Sequence, residues 1–409
     1  MTQAIAQSIP AHVPPELVFD WNHFSSAGML PSPGNDPYAA MRELHKGPRI
    51  FYSPHYGRFD TGYWVVTRAE DMRKILQDSA SFSSKVIAGF SLLLGETWDM
   101  IPLEVDPPNH EKYRALLNPL FTPKRMNEMS KGVRDVVIEL IEGFKANKRC
   151  EFVEDFGRRF PVRIFMQLMG IPLSDYETIL RWEDQILHSP DMDERVKGAC
   201  AIRDYLVAAL QDRKAHPQDD LFTVISNAQI EGRPITDTEA LSMSLFLFVA
   251  GLDTVASSLG FQFAWLAQNP EAQTYLRENP DRIPTAVEEL IRAFSVVITS
   301  RKVVKDVEIG GVLMKAGDVV SLPLGLGNYD PAAFDNADQI DLQRSPNLHI
   351  GFTVGPHRCL GSNLARREIV LAVEEWVNRV PNFRLAKGTL PVARSGAVMG
   401  VDELQLEWD

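Results

Sequence analysis

One cysteine lies in a glycine-bracketed turn directly before a helix, and this turn constrains the fold more than any other stretch of the chain. Residues 351–369 read GFTVGPHRCLGSNLARREI, with the spacing F-x-x-G-x-x-x-C-x-G from Phe352 to Gly361. An apolar-periodic helix is predicted from Asn363 to about Arg379. A thiolate at Cys359 would therefore lie at the positive end of a helix, near free backbone N–H groups that favour a charged sulfur.

The glycines of this turn suggest what lies above the sulfur. Gly355 and Gly361 permit a tight turn and leave space for a flat, bulky group. A haem fits that description, with the thiolate of Cys359 as the axial ligand of the iron. An isolated cysteine is more often a small buried hydrophobe, and we keep that interpretation for Cys150 and Cys200.

The composition of the 409-residue chain is that of a globular protein, with 45% hydrophobic and 23% charged residues. No linker, low-complexity run or repeat divides it, so we expect one domain over residues 1–409, with an irregular, proline-rich arm over residues 1–36. The N-terminus lacks a secretory signal, and three cysteines without metal-ligand spacing indicate a reducing cytoplasm. A formal net charge of −12 argues against nucleic acid as a partner.

Helical patterns dominate the middle of the chain, and short strands flank them. Helices are predicted over Lys124–Lys145, Ser174–His188 and Glu194–Arg213. Strands are predicted over Arg49–Tyr52 and Tyr63–Val66, joined by the turn SPHYGRFDTG, and again within RKVVKDVEIGGVLMKAGDVVSL at residues 301–322. This order predicts a mainly α fold with small β-sheets rather than an alternating α/β fold.

A long apolar helix is predicted between a capping box, Thr236 with Glu239, and a stop at Pro270. Its length and hydropathy would also suit a transmembrane span. However, the helix carries Asp253 near its middle, has acidic flanks, and is the only such segment. We therefore expect the central core helix of a protein that is not in a membrane.

The midpoint of this helix reads AGLDT, residues 250–254. A hydroxyl at Thr254 would bond back to the carbonyl of Ala250, and Gly251 lowers the cost of a local bulge. The widened groove would hold a diatomic ligand, with Thr254 as hydrogen-bond donor and Asp253 as a route for protons. Small residues at this point could instead simply permit close helix packing.

These two segments resemble those of the cytochrome P450 family of haem-thiolate monooxygenases. The similarity extends from about Pro15 to Trp408 and is closest to the bacterial camphor 5-monooxygenase-like subgroup, in segments such as PPELVFDWN, WDMIPLEVDPP, GLDTV, EELIRAFS and LARREI. The resemblance implies a triangular, helix-rich prism with haem b between the long central helix and the cysteine-loop helix. It also implies that Cys359 binds the iron and that Asp253 and Thr254 serve oxygen activation.

The resemblance assigns further residues to the haem and to the fold. In VDPPNHEKYR, two groups one helical turn apart suit the carboxylates of the haem propionates, although a solvated helix face would look the same. The haem contacts implied are His110, Arg114, Arg301, His357, Phe352 and Gly361. A buried network of Glu289, Arg292 and Arg344 is expected to fix the fold rather than to do chemistry.

The same resemblance implies a substrate pocket that is nearly all apolar. Its predicted residues are Trp98, Met100, Leu103, Phe246, Val249, Ala250, Val297, Ile298, Ala397 and Val398. Camphor hydroxylases carry a tyrosine that bonds the substrate ketone where this chain has Trp98, which puts camphor itself in doubt. A compact hydrophobic substrate, a monoterpenoid such as a cineole or camphor-like compound, or a norisoprenoid, is predicted.

The sequence contains neither an iron–sulfur cysteine cluster nor a dinucleotide fingerprint, so electrons must come from another protein. We expect a [2Fe–2S] ferredoxin, reduced by a separate reductase, to dock on a monomer at a basic face formed by Arg73, Lys112, Arg114, Arg358 and Arg366. Three alternatives remain at this point. They are a non-catalytic haem-binding sensor or carrier, a peroxide-driven enzyme, and a protein with one membrane span.

Overall fold

A computed structural model describes residues 9–21, 36–54, 61–85 and 87–409. Helices dominate it, as the sequence predicted. The α-helices are Pro37–Glu43 (α1), Ala69–Gln77 (α2), Phe90–Leu93 (α3), Asn109–Leu117 (α4), Pro123–Glu128 (α5), Ser130–Lys145 (α6), Arg159–Met169 (α7), Tyr176–Leu187 (α8), Met192–Ala215 (α9), Leu221–Ser226 (α10), Asp237–Leu266 (α11), Pro270–Glu278 (α12), Ile283–Ala293 (α13), Leu324–Asn328 (α14) and Ser362–Arg379 (α15).

The strands form small sheets at the edges of the helical body. They are Ile50–Ser53 (β1), Tyr63–Val66 (β2), Phe82–Ser83 (β3), Arg149–Glu151 (β4), Gln229–Ile230 (β5), Arg233–Pro234 (β6), Ile298–Val303 (β7), Val307–Ile309 (β8), Val312–Met314 (β9), Val319–Pro323 (β10), Arg384–Leu385 (β11), Val392–Arg394 (β12), Gly400–Glu403 (β13) and Gln405–Glu407 (β14). The largest sheet has the order β1-β2-β10-β7-β3, and β12 pairs with β13 as a separate hairpin. The expectation of a mainly α fold with small sheets is confirmed.

The predicted elements differ from the observed ones mainly at their ends. The helix predicted over Lys124–Lys145 is two helices, because the chain breaks at Met129 between α5 and α6. The helix after the cysteine begins at Ser362, one residue before the predicted start. Most of the predicted N-terminal arm and of the turn after β1 lies outside the described residues.

The long helix α11 crosses the centre of the protein and is about 45 Å long at 1.5 Å per residue. The predicted capping box is present, since the Thr236 hydroxyl accepts from the Glu239 amide and the Glu239 carboxylate accepts from the Thr236 amide. Residues of α11 belong to both large hydrophobic clusters, one with α6, α13 and α15 and the other with α7, α9 and α10.

Helix α11 is also long and apolar enough to cross a membrane, the one such helix in the ranges that the structure covers. Within the protein, 67% of its most apolar 18-residue window is buried. A central core helix meets the same criteria of length and hydropathy. Its burial supports the core-helix expectation.

Candidate functional site

A cavity of about 1060 Å³ lies between the middle of α11 and the cysteine turn before α15. Residues distant in sequence meet there, because α11, the β7 edge and the β12–β13 hairpin all border it. Of the predicted site residues, the cavity lining includes Cys359, His110, Arg114, Arg301, His357, Phe352, Gly361, Asp253, Thr254, Met100, Leu103, Phe246, Val249, Ala250, Val297, Ile298, Ala397 and Val398.

Trp98 is the exception among the predicted pocket residues. It lines a second, separate cleft of about 490 Å³, together with Asp99, Tyr113 and Ser242. The adjacent backbone turns this segment, because the Ile101 amide donates to the Ser242 hydroxyl at 2.7 Å. Met100 is buried in the wall of the large cavity instead. Trp98 therefore does not line the large cavity, and its assignment to the substrate pocket stays a prediction.

The cysteine turn is built around a glycine that no other residue could replace without strain. Gly355 has φ of +78°, and a Cβ there would lie 2.5 Å from the carbonyl oxygen of Leu76. The amide of Cys359 donates to the carbonyl of Phe352 at 2.9 Å and closes the turn. The Arg366 guanidinium stacks over the Phe352 ring at 4.5 Å, which ties the turn to α15.

The sulfur of Cys359 faces the cavity, and its environment acts on it in two opposing ways. Burial raises the pKa of the Cys359 thiol, whereas the Gly361 amide and the cations of Arg114 and Arg366 lower it. The helix end and backbone donors thus act in the predicted direction, but desolvation outweighs them. A bound metal ion would supply the missing positive charge and favour the thiolate.

Two histidines and a buried arginine at the cavity edge lack partners that their chemistry requires. Both ring nitrogens of His110 and the Nε2 of His357 are buried without hydrogen-bond partners among the described residues, and the two rings lie 4.3 Å apart. Arg301 is 3% exposed and, over the same ranges, forms no ion pair with a carboxylate. Buried donors of this kind indicate a missing anionic ligand.

The protonation states of these groups refine the sequence expectation. Burial and the nearby Arg114 lower the pKa of His110 to about 4. Burial and Arg301 lower the pKa of His357 to about 3, and burial lowers the pKa of Arg301 to about 10. The histidines are therefore neutral N–H donors rather than cations at neutral pH. Together with Arg301 and Arg114 they fit the two carboxylates of a haem.

The midpoint of α11 is not bulged, contrary to expectation. The helix is continuous from Asp237 to Leu266, and the Thr254 hydroxyl donates to the Ala250 carbonyl at 3.1 Å. A Cβ on Gly251 would lie 2.5 Å from the Phe165 ring of α7. Gly251 therefore permits close packing of α7, the alternative that the sequence left open.

Asp253 is held in an ionic cluster that sequence reasoning missed. Its Oδ1 accepts from Arg394 Nη2 at 2.6 Å and from the Ser257 hydroxyl at 3.0 Å. The Nε2 of His188 lies 3.6 Å from the same oxygen. Arg394 also pairs with Asp402 at 2.9 Å. No local pattern connects residues that are so far apart in the chain, so only the fold brings them together.

The charges of this cluster determine the ionisation of Asp253. Burial by itself raises the pKa of Asp253, but His188 and Arg394 more than offset that effect and hold it well below its usual range. Burial lowers the pKa of His188, whereas Asp184 and Asp253 raise it, to about 9 as the net result. At neutral pH the cluster therefore contains an aspartate flanked by two cations.

The ligand atoms of Glu183, His188 and Asp253 lie within 4.8 Å of one another, a spacing that a metal ion could use. However, Arg158 pairs with Glu183 at 2.7 Å, and Arg394 pairs with Asp253. Because both carboxylates are already neutralised by arginines, the cluster is suited to ion pairing rather than to a cation.

The cavity lining also includes a buried acid on α15 that sequence reasoning missed. Glu368 is 2% exposed, and burial raises its pKa to about 8. Its side chain is therefore mostly protonated at neutral pH, unlike that of Asp253. The LARREI segment contains it, but nothing in the local pattern showed that it would face the cavity.

The structure brings Glu289, Arg292 and Arg344 together, as the resemblance implied. Arg292 forms two hydrogen bonds of 2.8 Å to Glu289, and Arg344 Nε lies 3.0 Å from the same carboxylate. The side chains of Glu289 and Arg292 are fully buried. This network lies outside the cavity lining and joins α13 to the segment before the cysteine turn.

The basic face predicted for partner docking is partly neutralised by the protein itself. Arg366 forms a bidentate pair with Glu288, at 2.5 and 2.9 Å, and Lys112 pairs with Glu231 at 2.9 Å. Arg73 and Arg114 instead donate to backbone carbonyls, those of Leu348 and Arg358. Over the described residues, the predicted cations without an acidic partner are Arg73, Arg114 and Arg358.

Comparisons with known proteins agree with this geometry. The model of the family described as Cytochrome P450 matches residues 185–386. A protein described as probable cytochrome P450 127A1, from Sinorhizobium fredii, is 41% identical over 98% of this chain and 97% of its own length. The mycinamicin IV hydroxylase/epoxidase of Micromonospora griseorubida is 31% identical over 91% of this chain and 90% of its own.

Solved structures show the same likeness across the whole fold. The crystal structures of CYP101J2 and of cytochrome P450 CYP101C1 each superpose with a TM-score of 0.88 and cover 98% of this chain and 100% of their own chains. Their sequence identities to it are 33% and 34%. The resemblance found in the sequence therefore holds for the complete architecture, including the subgroup.

Proposed function

The chain belongs to the cytochrome P450 family, whose cofactor is haem b, and on that premise we propose that it hydroxylates a small, compact, hydrophobic substrate. The observation that carries this proposal is the set of residues that border one cavity. The Cys359 sulfur and the apolar middle of α11 border it. So do the buried ring nitrogens of His110 and His357, and the Arg301 guanidinium, which has no carboxylate partner over the described residues.

The residues that would hold the haem follow from their chemistry. Cys359 would hold the iron, and the carboxylates of the haem would accept hydrogen bonds from His110, Arg114, Arg301 and His357. When bound, the iron supplies oxygen binding and O–O cleavage. The protein's part is to exclude water, to orient the substrate and to deliver protons.

Proton delivery is the role of Asp253 and Thr254 in this proposal. Both line the cavity, and Asp253 belongs to a cluster of charged groups on the cavity wall. A carboxylate next to an alcohol can hold a proton and pass it on through the hydroxyl. This pair favours an oxygen-using enzyme over a peroxide-driven one, which would not need it.

The substrate class follows from the shape and polarity of the cavity. The cavity walls near the cysteine turn are apolar. Helix α11 contributes Phe246 and Val249, the segment before β7 contributes Val297, and the β12–β13 hairpin contributes Ala397 and Val398. Such walls recognise shape rather than hydrogen-bonding groups. We propose a monoterpenoid of the cineole or camphor type, or a norisoprenoid, as the substrate.

Electrons come from a [2Fe–2S] ferredoxin with its own reductase in this proposal, and the protein acts as a cytoplasmic monomer. Of the predicted cations, Arg73 and Arg358 have no acidic partner over the described residues and are not assigned to the haem, which is fewer than the sequence predicted. Because surface electrostatics mainly affect association rates, Arg358→Glu should slow reduction by a ferredoxin most at low ionic strength.

The test of the proposal is the optical spectrum of the reduced protein under carbon monoxide. The wild type should show the thiolate-ligated haem signature, and Cys359→His should lose it, whereas Cys200→Ser should retain it. Addition of 1,8-cineole, camphor or a norisoprenoid to the ferric protein should displace the iron-bound water and shift the spectrum. A haem protein without the thiolate signature would refute the proposal.

The main rival is a haem-binding sensor or carrier that does not turn over. NADH-dependent formation of an oxidised product, with added ferredoxin and reductase, separates it from an enzyme. In an enzyme, Thr254→Ala should still bind the substrate but should release hydrogen peroxide in place of product. A variant that remained fully coupled would show that Thr254 does not have the assigned role.

A further inference from the structure

The guanidinium of Arg394 reaches the central helix through a gap that a glycine leaves open. Arg394 ends β12, and Gly400 begins β13 opposite it in the hairpin register. A Cβ on Gly400 would lie 2.5 Å from the guanidinium carbon of Arg394. Any other residue at position 400 would displace this side chain, so Gly400 provides the space that the Arg394 guanidinium occupies.

The hydrogen bonds of Asp253 converge on one of its two carboxylate oxygens. Its Oδ1 accepts from Arg394 and from Ser257, and Arg394 Nη2 also donates to the Ser257 hydroxyl at 2.8 Å. The Thr254 hydroxyl donates to Ala250 instead. Over the described residues, no hydrogen bond joins Asp253 to Thr254, the group to which it would deliver a proton.

The hairpin that carries Arg394 also forms a wall of the substrate cavity. Ala397 and Val398 lie between its two strands and line the cavity. Two backbone hydrogen bonds of 2.9 Å attach the hairpin to β7 and the segment before it. The Ile298 amide, at the start of β7, donates to Ala397, and the Met399 amide donates to Val296. A ligand that presses on this wall therefore acts on the element that holds Asp253.

We propose that Arg394 is a positioning residue that couples occupation of the cavity to proton delivery. It holds Asp253 against Ser257, and movement of the hairpin wall around a ligand loosens this contact. Asp253 is then free to take a proton from hydronium in the solvent and to pass it to the Thr254 hydroxyl, which releases its own proton into the cavity. This inference rests on the proposed function, because it requires that the cavity be the substrate site.

The charged surroundings of Asp253 come from every element packed around it. The hairpin contributes Arg394 and Asp402, and His188 follows α8. Further charged side chains lie behind these groups. Glu183 and Asp184 belong to α8, Glu154 belongs to the π-helical turn Val153–Gly157, and Arg158 follows that turn. His188 contacts Asp253 and has a pKa of about 9, within the range of an NMR titration, so its titration reports on the contact.

The deciding experiment is a pH titration of ¹⁵N-labelled histidine by NMR, in the reduced carbon monoxide complex of the holoprotein. His188→Gln identifies the resonance. Arg394→Gln removes a cation next to the ring, so the pKa of His188 should rise by about half a unit or more. Arg394→Lys should stay close to wild type. Arg384→Gln is the control, because Arg384 also pairs with two carboxylates but lies at the surface.

Ligand dependence tests the coupling itself. Saturation with 1,8-cineole should change the titration of His188 in the wild type and should have no effect in Arg394→Gln. In turnover, Arg394→Gln should shift the high-pH fall of kcat upward by about one pH unit while KM stays within about twofold, because Asp253 gains protons more easily. Arg394→Lys should keep the wild-type pH profile.

Two results would overturn the inference. One is a titration of His188 that does not respond to cineole even though cineole shifts the haem spectrum. The other is a pH profile that is identical in wild type and Arg394→Gln. Failure of the proposed function would look different, because the carbon monoxide complex would then lack the thiolate signature in every variant.

Discussion

Replacement of Glu289 by glutamine tests how far the fold around the cysteine turn depends on one buried carboxylate. Glu289 accepts five hydrogen bonds, two from Arg292 and one each from Arg344, Asn347 and the Asp341 amide. Glutamine has nearly the same volume, so the change introduces no cavity. It removes the negative charge and turns one acceptor oxygen into a donor that faces other donors.

The expected loss of unfolding free energy in Glu289→Gln follows from the burial of Arg292. The side chains of Glu289 and Arg292 are both 0% exposed, so Glu289→Gln leaves a buried cation without its counter-ion. Breaking a buried pair in this way typically costs about 3–5 kcal/mol of unfolding free energy. With a urea m-value of about 3 kcal/mol/M, the midpoint should fall by about 1–1.7 M.

The assay is urea unfolding of the holoprotein, followed both by far-UV circular dichroism and by the haem spectrum. Glu70→Gln serves as the matched control, because Glu70 also pairs with a basic residue one helical turn away but does so in solvent, and it should leave the midpoint unchanged. If Glu289→Gln moved the midpoint by less than about 0.3 M, the buried network would not stabilise the fold as argued.

Three further changes are predicted. Gly355→Ala should reduce haem retention and lower the thermal midpoint, since φ of +78° is strained for alanine and the new Cβ would clash with the Leu76 carbonyl. A variant as stable as wild type would contradict this. Burial raises the pKa of Glu288, but His349 and Arg366 lower it to about 2, so its stabilisation is complete above about pH 4.5 and is lost as the pH falls towards 2. Acid titration of stability in this window should therefore be shallower for Glu288→Gln than for wild type, and equal slopes would disprove the assignment. Trp98→Phe should change the spectral dissociation constant of 1,8-cineole by no more than about twofold, because the side chain lies outside the large cavity. A tenfold change would show that Trp98 contacts the substrate.

The sequence predicted those parts of the site that a local pattern encodes. The spacing around Cys359 and the capping box at Thr236 each depend on residues only a few positions apart, and both have the structure expected. Helix ends were predicted less accurately, because the break at Met129 interrupts a pattern that is periodic on both sides. Burial and packing, rather than periodicity, decide such breaks.

The ionic cluster at Asp253 could not be predicted, because its members come from separate parts of the chain. Arg394 lies 141 positions from Asp253, and His188 lies on the other side of it in sequence. Trp98 shows the opposite difficulty. Its position in the alignment was clear, but the direction of its side chain depends on the hydrogen bonds that the neighbouring backbone makes to Ser242.

The hydrogen bond between Thr254 and Ala250 has a consequence for what this part of the cavity can receive. A hydroxyl group has a single hydrogen, and here that hydrogen points into the helix. The oxygen therefore presents only lone pairs to the interior, so a water or alcohol arriving there is held as a donor. Before Thr254 can give a proton to anything in the cavity, its hydroxyl must rotate about the Cβ–Oγ1 bond. The carbonyl of Ala250 then keeps only the backbone amide of the helix as its donor.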